Sequence, residues 1–109
     1  MTSVNKKTIQ DYWTKNVPGL DIVSKRFSPE QKEFYLYTDE YRYRYDSYLV
    51  PLIDSFAKKG EVILEIGCGM GTDSRYISQK GAHIVSLDLS YDNVSFTLKG
   101  MHLLNLGGK

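Results

Sequence analysis

Glu65-Ile66-Gly67-Cys68-Gly69-Met70-Gly71 places a carboxylate and three glycines at alternate positions, and a second carboxylate, Asp88, closes an apolar run downstream. Glycines at this density let the backbone turn sharply and pass against a ligand too closely for a Cβ. A helix opening at Thr72-Asp73-Ser74 directs free N–H groups into the same space, which favours any anionic group of a nucleotide-like ligand. Glu65 acts in the opposite sense, because a carboxylate there repels a pyrophosphate and attracts an ammonium or sulfonium. The residue types therefore describe a site for a nucleotide-like ligand with a cationic end.

Competing glycine-loop chemistries fit less well. A phosphate-binding P-loop needs Lys and then Ser or Thr after its last glycine, whereas Gly71 is followed by Thr72-Asp73. A dinucleotide fingerprint reads G-x-G-x-x-G, and Thr72 stands where its third glycine belongs, which argues against a nicotinamide-dependent oxidoreductase. Cys68 has a glycine on each side and no partner histidine in the sequence, so it reads as a small turn residue rather than a nucleophile. His83 and His102 lack metal-ligand spacing and read as surface or packed side chains, and no metal site is expected.

The elements that must hold these residues follow from the flanking patterns. Val62, Ile63, Leu64 and Ile66 form a β-branched apolar strand, Gly81 stops the helix after the glycine turn, and Ala82 to Leu87 forms a second strand ending at Asp88. Strand, helix and strand in this order make a β-α-β unit, whose strands are parallel. Ser90 caps a further helix with Val94, Leu98, Met101 and Leu104 on one face, weakened by about 1 kcal/mol at Gly100 relative to alanine. A turn into another strand is expected around Leu106-Gly107-Gly108-Lys109.

Upstream, Ser28-Pro29-Glu30-Gln31 predicts a helix start, with Ser28 as cap, Pro29 at the first helical position and Gln31 completing a capping box. Phe34, Tyr37, Tyr41, Tyr45, Tyr48, Leu52 and Phe56 then draw an apolar stripe at helical spacing, which Pro51 should kink or divide. Lys58-Lys59-Gly60 ends the helical region. Tyr41-Arg42-Tyr43-Arg44-Tyr45 interleaves aromatics with cations, a pattern that also occurs in base-stacking surfaces. On a helix, Arg42 and Arg44 pair with Asp39, Glu40 and Asp46 at the surface, or one reaches a carboxylate-bearing ligand. Residues 1–27 form an N-terminal arm with a short helix from Val4 to Lys15, ended by Pro18-Gly19, on which Trp13 is expected to be a packing anchor.

The chain has 109 residues, 41% hydrophobic and 25% charged, which suits one small globular domain. Its net charge of +1 gives no global attraction to nucleic acid or to an anionic membrane. One cysteine excludes an intrachain disulfide framework, and no apolar run approaches the roughly 20 residues of a membrane helix. A cytoplasmic location is expected.

Glu65-Ile66-Gly67-Cys68-Gly69-Met70-Gly71 resembles the first motif of class I S-adenosylmethionine-dependent methyltransferases, and Asp88 after Ile84-Val85-Ser86-Leu87 resembles their second. The resemblance implies S-adenosyl-L-methionine as cofactor, with Asp88 accepting both ribose hydroxyls and Leu89 packing near the adenine. Glu65 then lies near the methionine amino group, and Gly67, Cys68, Gly69 and Gly71 form the turn against the cofactor. Thr72 and Asp73 either cap the following helix or border the methionine moiety. The implied fold is α/β, with N-terminal helices followed by a β-α-β-α portion of a Rossmann-like methyltransferase sheet. Residues 28–109 would be the N-terminal half of that domain, incomplete because the family sheet has more strands. The expected function is methyl transfer to an unknown acceptor, a small molecule being favoured, with no catalytic residue assigned. The alternative is a noncatalytic truncated remnant or interaction module that keeps the βαβ shape, with self-association through an exposed sheet edge.

Overall fold

The computed structural model describes residues 5–106, so Val4 and the turn residues Gly107, Gly108 and Lys109 lie outside it. The elements run α1 (Lys6–Lys15), α2 (Leu20–Val23), α3 (Lys32–Tyr45), α4 (Leu49–Phe56), β1 (Val62–Ile66), α5 (Thr72–Gln79), β2 (His83–Leu87) and α6 (Tyr91–Leu103). β1 and β2 pair in parallel from Val62 opposite His83 to Ile66 opposite Leu87, as the β-α-β order requires. The architecture is α/β, with helices around a small two-stranded parallel sheet.

Alternation along the strands gives the sheet two unlike faces. Ile63 and Ile84 pack with Ile53 of α4, Ala57 at its C-cap, Ile77 of α5 and Ala82. Val62, Leu64, Ile66, Val85 and Leu87 point the other way and are exposed. A second core lies beneath the glycine turn, where Val17, Val23, Phe34, Tyr35 and Met70 are buried together against Phe96 and Leu103.

Three expectations need correction. Helix α3 starts at Lys32, one turn after the expected Ser28 cap. Ser28 and Gln31 do exchange bonds, but these close the preceding turn: the Ser28 N–H donates to Gln31 Oε1 (2.9 Å) and the Gln31 N–H to the Ser28 carbonyl (2.9 Å), while Ser28 Oγ accepts from the Glu30 N–H (3.2 Å). The Tyr35 hydroxyl occupies the Pro29 carbonyl (2.9 Å).

The long upstream helix divides at Asp46-Ser47-Tyr48, before Pro51, not at it. Pro51 is the third residue of α4, where its missing N–H falls among donors that have no intrahelical partner anyway. Its ring would collide with the Ser47 carbonyl in a continuous helix, so the break precedes it. The division also scatters the predicted stripe. Phe34 is buried, but Tyr45, Tyr48, Leu52 and Phe56 are exposed, and the packed positions are Phe34, Tyr35 and Thr38 in α3 and Ile53 in α4.

Helix α6 also packs on a different face from the expected one. Asn93, Thr97 and Gly100 are buried, whereas Leu98 is 65% exposed. Gly100 decides this face: a Cβ there would lie 2.5 Å from Arg75 Nη1 and 2.8 Å from Tyr35 Cδ1. The glycine that weakens the helix locally is thus what lets α6 approach α3 and α5. Val94, Leu98 and Met101 line an open groove of about 680 Å³ beside Ile84 and Ser86.

Candidate functional site

The turn between β1 and α5 is held by the end of β2. The N–H groups of Gly67 and Cys68 both donate to the Leu87 carbonyl, at 2.7 and 3.0 Å. Gly67, Gly69 and Gly71 have φ of +80°, +57° and +86°, in the left-handed region that a Cβ penalises. Their surroundings differ. Nothing lies within 4 Å of a Cβ built on Gly67, and one on Gly69 would touch Val17 Cγ2 at 3.3 Å. At Gly71 it would meet Thr97 Oγ1 at 2.7 Å and Arg75 Nη1 at 2.9 Å. Gly67 therefore faces open space, Gly69 lies close against Val17, and Gly71 serves the contact between α5 and α6.

Asp88, at the end of β2, ties the turn to the start of α6. Its Oδ2 accepts from the Gly69 N–H (2.9 Å), and its Oδ1 accepts from the Ser90 N–H (2.8 Å) and Asn93 Nδ2 (3.3 Å). A carboxylate offers roughly four lone-pair sites, so about one is free for a ligand hydroxyl. A diol engaging both oxygens would displace the longest of these bonds, that from Asn93. Ser90 caps α6 as expected, its Oγ accepting from the Asn93 N–H at 3.3 Å. Leu89 is 44% exposed beside Asp88.

Glu65 sits at the opposite side of the turn. Its Oε1 accepts from the hydroxyls of Ser74 and Ser86. Burial pushes its carboxyl above the ordinary glutamate range, with the two serine bonds opposing. Thr72 and Asp73 do not cap α5, whose N-cap is Gly71 with no side-chain bond. Both instead reach α3. Asp73 accepts from Arg42 through Nε (3.3 Å) and Nη2 (3.0 Å) and from the Tyr43 hydroxyl (2.7 Å), and Thr72 Oγ1 donates to Asp39 Oδ1 (2.7 Å). Burial, then the bond to Asp73, raises the Tyr43 hydroxyl far above its ordinary value.

Among the expected arginine pairings, Arg44 meets Glu40 (2.8 Å) at the surface and Arg42 comes within 3.8 Å of Asp46. The principal partner of Arg42, Asp73, had no local signal because it lies 31 residues away. Asp39, expected beside Arg42 or Arg44, meets Arg75 instead, a residue with no role assigned from the sequence. Arg75 is fully buried, with Nε and Nη2 on the two Asp39 oxygens (2.8 and 2.6 Å) and Nη1 on the Met70 carbonyl (2.8 Å). Its guanidinium carbon lies 5.2 Å from the centre of the Tyr35 ring. The available signal was Arg75 at i+3 from Thr72, which puts both on one face of α5 with Asp39 bridging them.

Two hollows meet at Gly67 and Gly69. One, of about 190 Å³, lies between the turn and α3 and is lined by Glu65, Tyr41, Arg42, Asp46, Thr72 and Asp73. The other, of about 600 Å³, runs along Asp88, Leu89 and Asn93 under Ile9 and Trp13 of α1. Of the expected site residues, Glu65 and Cys68 border the first, Asp88 and Leu89 border the second, and Gly67 and Gly69 border both. Gly71 borders neither. Glu65 thus lies in one hollow and Asp88 in the other, with Gly67 and Gly69 between them.

Cys68 is buried, accepts from Thr97 Oγ1 at 3.3 Å and has its thiol pushed up by burial, which suits a turn residue rather than a nucleophile. His83 and His102 are both exposed. Among the described residues no group of three or more His, Cys, Asp or Glu side chains is placed to hold a metal ion, and no helix is long and apolar enough to cross a membrane.

No family profile matches the chain, and no solved structure does. Phosphoethanolamine N-methyltransferase 1 of Zea mays is 40% identical over 43 residues, which is 38% of this chain and 9% of that protein. Phosphoethanolamine N-methyltransferase 1 of Arabidopsis thaliana matches with the same identity and the same shares. The matched stretch thus spans under a tenth of the relatives' length, and what it marks in this chain is a methyltransferase-like region.

Proposed function

We propose that the chain is the cofactor-binding portion of a class I, Rossmann-like methyltransferase domain and that it takes S-adenosyl-L-methionine. The observation that carries this reading is the pair of hollows joined at Gly67 and Gly69, with Glu65 in one and Asp88 in the other. A carboxylate in each suits a ligand that is cationic at one end and a nucleoside at the other. The partial likeness to two methyltransferases supports it.

In this reading Asp88 holds the ribose, Leu89 packs by the adenine, and Glu65 attracts the ammonium of the methionine end. Gly67 and Gly69 allow the close approach between them, and Cys68 contributes the turn backbone. The cofactor supplies an electrophilic methyl group on sulfur, and the chain binds and orients it, so no protein base is obligatory. The acceptor is proposed to be a small molecule. An amine is the first to try, from the name of the relatives. A cytoplasmic location accompanies the reading.

Calorimetric titration with S-adenosylmethionine tests it. We expect binding by the native chain, weakened at least tenfold in Asp88→Ala and in Gly69→Val, which places a β-branched side chain at φ +57° and against Val17. Absence of heat at millimolar cofactor would refute the reading for this polypeptide.

One observation favours a second reading. Val62, Leu64, Ile66, Val85 and Leu87 leave a parallel sheet bare on one face, whereas parallel sheets are ordinarily covered on both. A noncatalytic interaction module that self-associates through this sheet would bury them. Sedimentation at rising concentration, with and without Leu64→Lys, separates the two readings: a monomer in both removes the second.

A further inference from the structure

Helix α1 has no buried residue, yet it is fastened at a particular place. Gln10 Nε2 donates to the Leu89 carbonyl (2.6 Å), Thr14 Oγ1 shares a hydrogen bond with Ser90 Oγ (2.6 Å), and Asn93 Nδ2 donates to the Trp13 carbonyl (3.4 Å). All three bonds fall on the segment that follows Asp88. Gln10 and Thr14 stand four apart and form the fastening stripe. Ile9 and Trp13, also four apart, form the neighbouring stripe and face the hollow that holds Asp88 and Leu89.

Trp13 is accordingly not the packing anchor its position suggests. It is 45% exposed, it meets Tyr12 edge-on at 5.0 Å, and it lines the hollow. The same hollow is lined by Asn93, only 2% exposed, whose Nδ2 donates to Asp88 Oδ1 at 3.3 Å. The space thus combines an aromatic face at Trp13, an aliphatic face at Leu89 and a carboxylate with about one free lone pair. A purine nucleoside supplies the matching parts: a flat base and a diol.

We propose that α1 is a working wall of the nucleoside hollow and that Trp13 lies against the base of the bound ligand. The inference rests on the cofactor reading above but goes beyond it, since it assigns a ligand contact to the N-terminal arm. Trp13 is the sole tryptophan of the chain, so its emission reports on this wall alone.

The test titrates the full chain with S-adenosylhomocysteine, adenosine and methionine while following tryptophan emission, with calorimetry in parallel. The first two ligands are expected to quench or shift Trp13 emission to saturation, and methionine is expected to leave it unchanged. Trp13→Ala should lower affinity for S-adenosylhomocysteine about tenfold or more, the range of base stacking on an aromatic, and Trp13→Phe should restore most of it. Gln10→Ala with Thr14→Val, which unfastens the helix but keeps Trp13, should weaken binding in the same direction. Should Trp13→Ala fail to fold, the emission titration of the native chain still decides. Binding that depends on Asp88 but leaves Trp13 emission unchanged would overturn this inference and spare the cofactor reading. No heat with any nucleoside ligand would overturn both.

Discussion

The two flanks of the glycine turn are built by opposite means. On the α3 side, Asp39, Arg75, Thr72, Arg42 and Asp73 form a network of charged hydrogen bonds around a guanidinium that is wholly buried. On the α1 side, three uncharged hydrogen bonds at or near an exposed surface hold a helix with no buried residue. Burying a charge makes its partner indispensable, because the desolvation cost remains when the partner goes. Neutral bonds near water can open at a cost of about 0.5 to 1.5 kcal/mol each. The first flank is therefore a fixed floor for the hollow that holds Glu65, and the second is a wall that can yield.

The sharpest way to break this contrast is Asp39→Ala. It leaves Arg75 charged and buried with the Met70 carbonyl and the Tyr35 ring but no counter-charge, and it should cost about 3–5 kcal/mol of stability in urea unfolding. Asp39→Asn, which keeps an acceptor but not the charge, should cost less. If Asp39→Ala unfolds with the native midpoint, the floor is not what holds the turn.

Two glycine substitutions probe the same contrast at lower amplitude. Gly100→Ala drives a methyl into Arg75 and Tyr35 and should destabilise by about 1–3 kcal/mol, although alanine is the better helix former by about 1 kcal/mol. Gly67→Ala meets nothing within 4 Å and should cost only the left-handed backbone strain of about 1–2 kcal/mol. Its larger effect should fall on ligand affinity, because the methyl enters the space between the hollows. Thermal melts and a cofactor titration on both variants separate the fold-side glycine from the ligand-side one.

What could be read in the sequence divides along the same line. The turn, both strands, Asp88 and the Ser90 cap were legible because glycine spacing, β-branched runs and caps act within a few residues. The floor was not, because Asp39 meets Arg75 from 36 residues away and Arg42 meets Asp73 from 31. Hydrophobic period misled at α6, where the expected Val94, Leu98 and Met101 face stays open and the polar Asn93 and Thr97 are buried. There the decisive residue was Gly100, which local propensity counts only as a defect. Trp13 was misjudged for a related reason: its size predicts burial, but only its neighbours decide whether protein or ligand supplies it.

Glu65 gives the smallest and most specific test, since it lies where the fixed floor meets the hollow. Burial raises its carboxyl above the ordinary 4.5, so the folded chain holds the proton more tightly than the unfolded one. Where the folded state binds more protons, stability falls as pH rises. This contribution is therefore fully present below 4.5 and is lost as pH climbs through the raised folded value. Glu65→Gln should remove that slope from urea melts taken across the window. Affinity for a cationic ligand should move the other way, rising through the same window as Glu65 ionises and levelling off above it, and Glu65→Gln should flatten that rise as well. If the slope in stability disappears in Glu65→Gln while the affinity profile is unchanged, Glu65 belongs to the floor and not to the ligand.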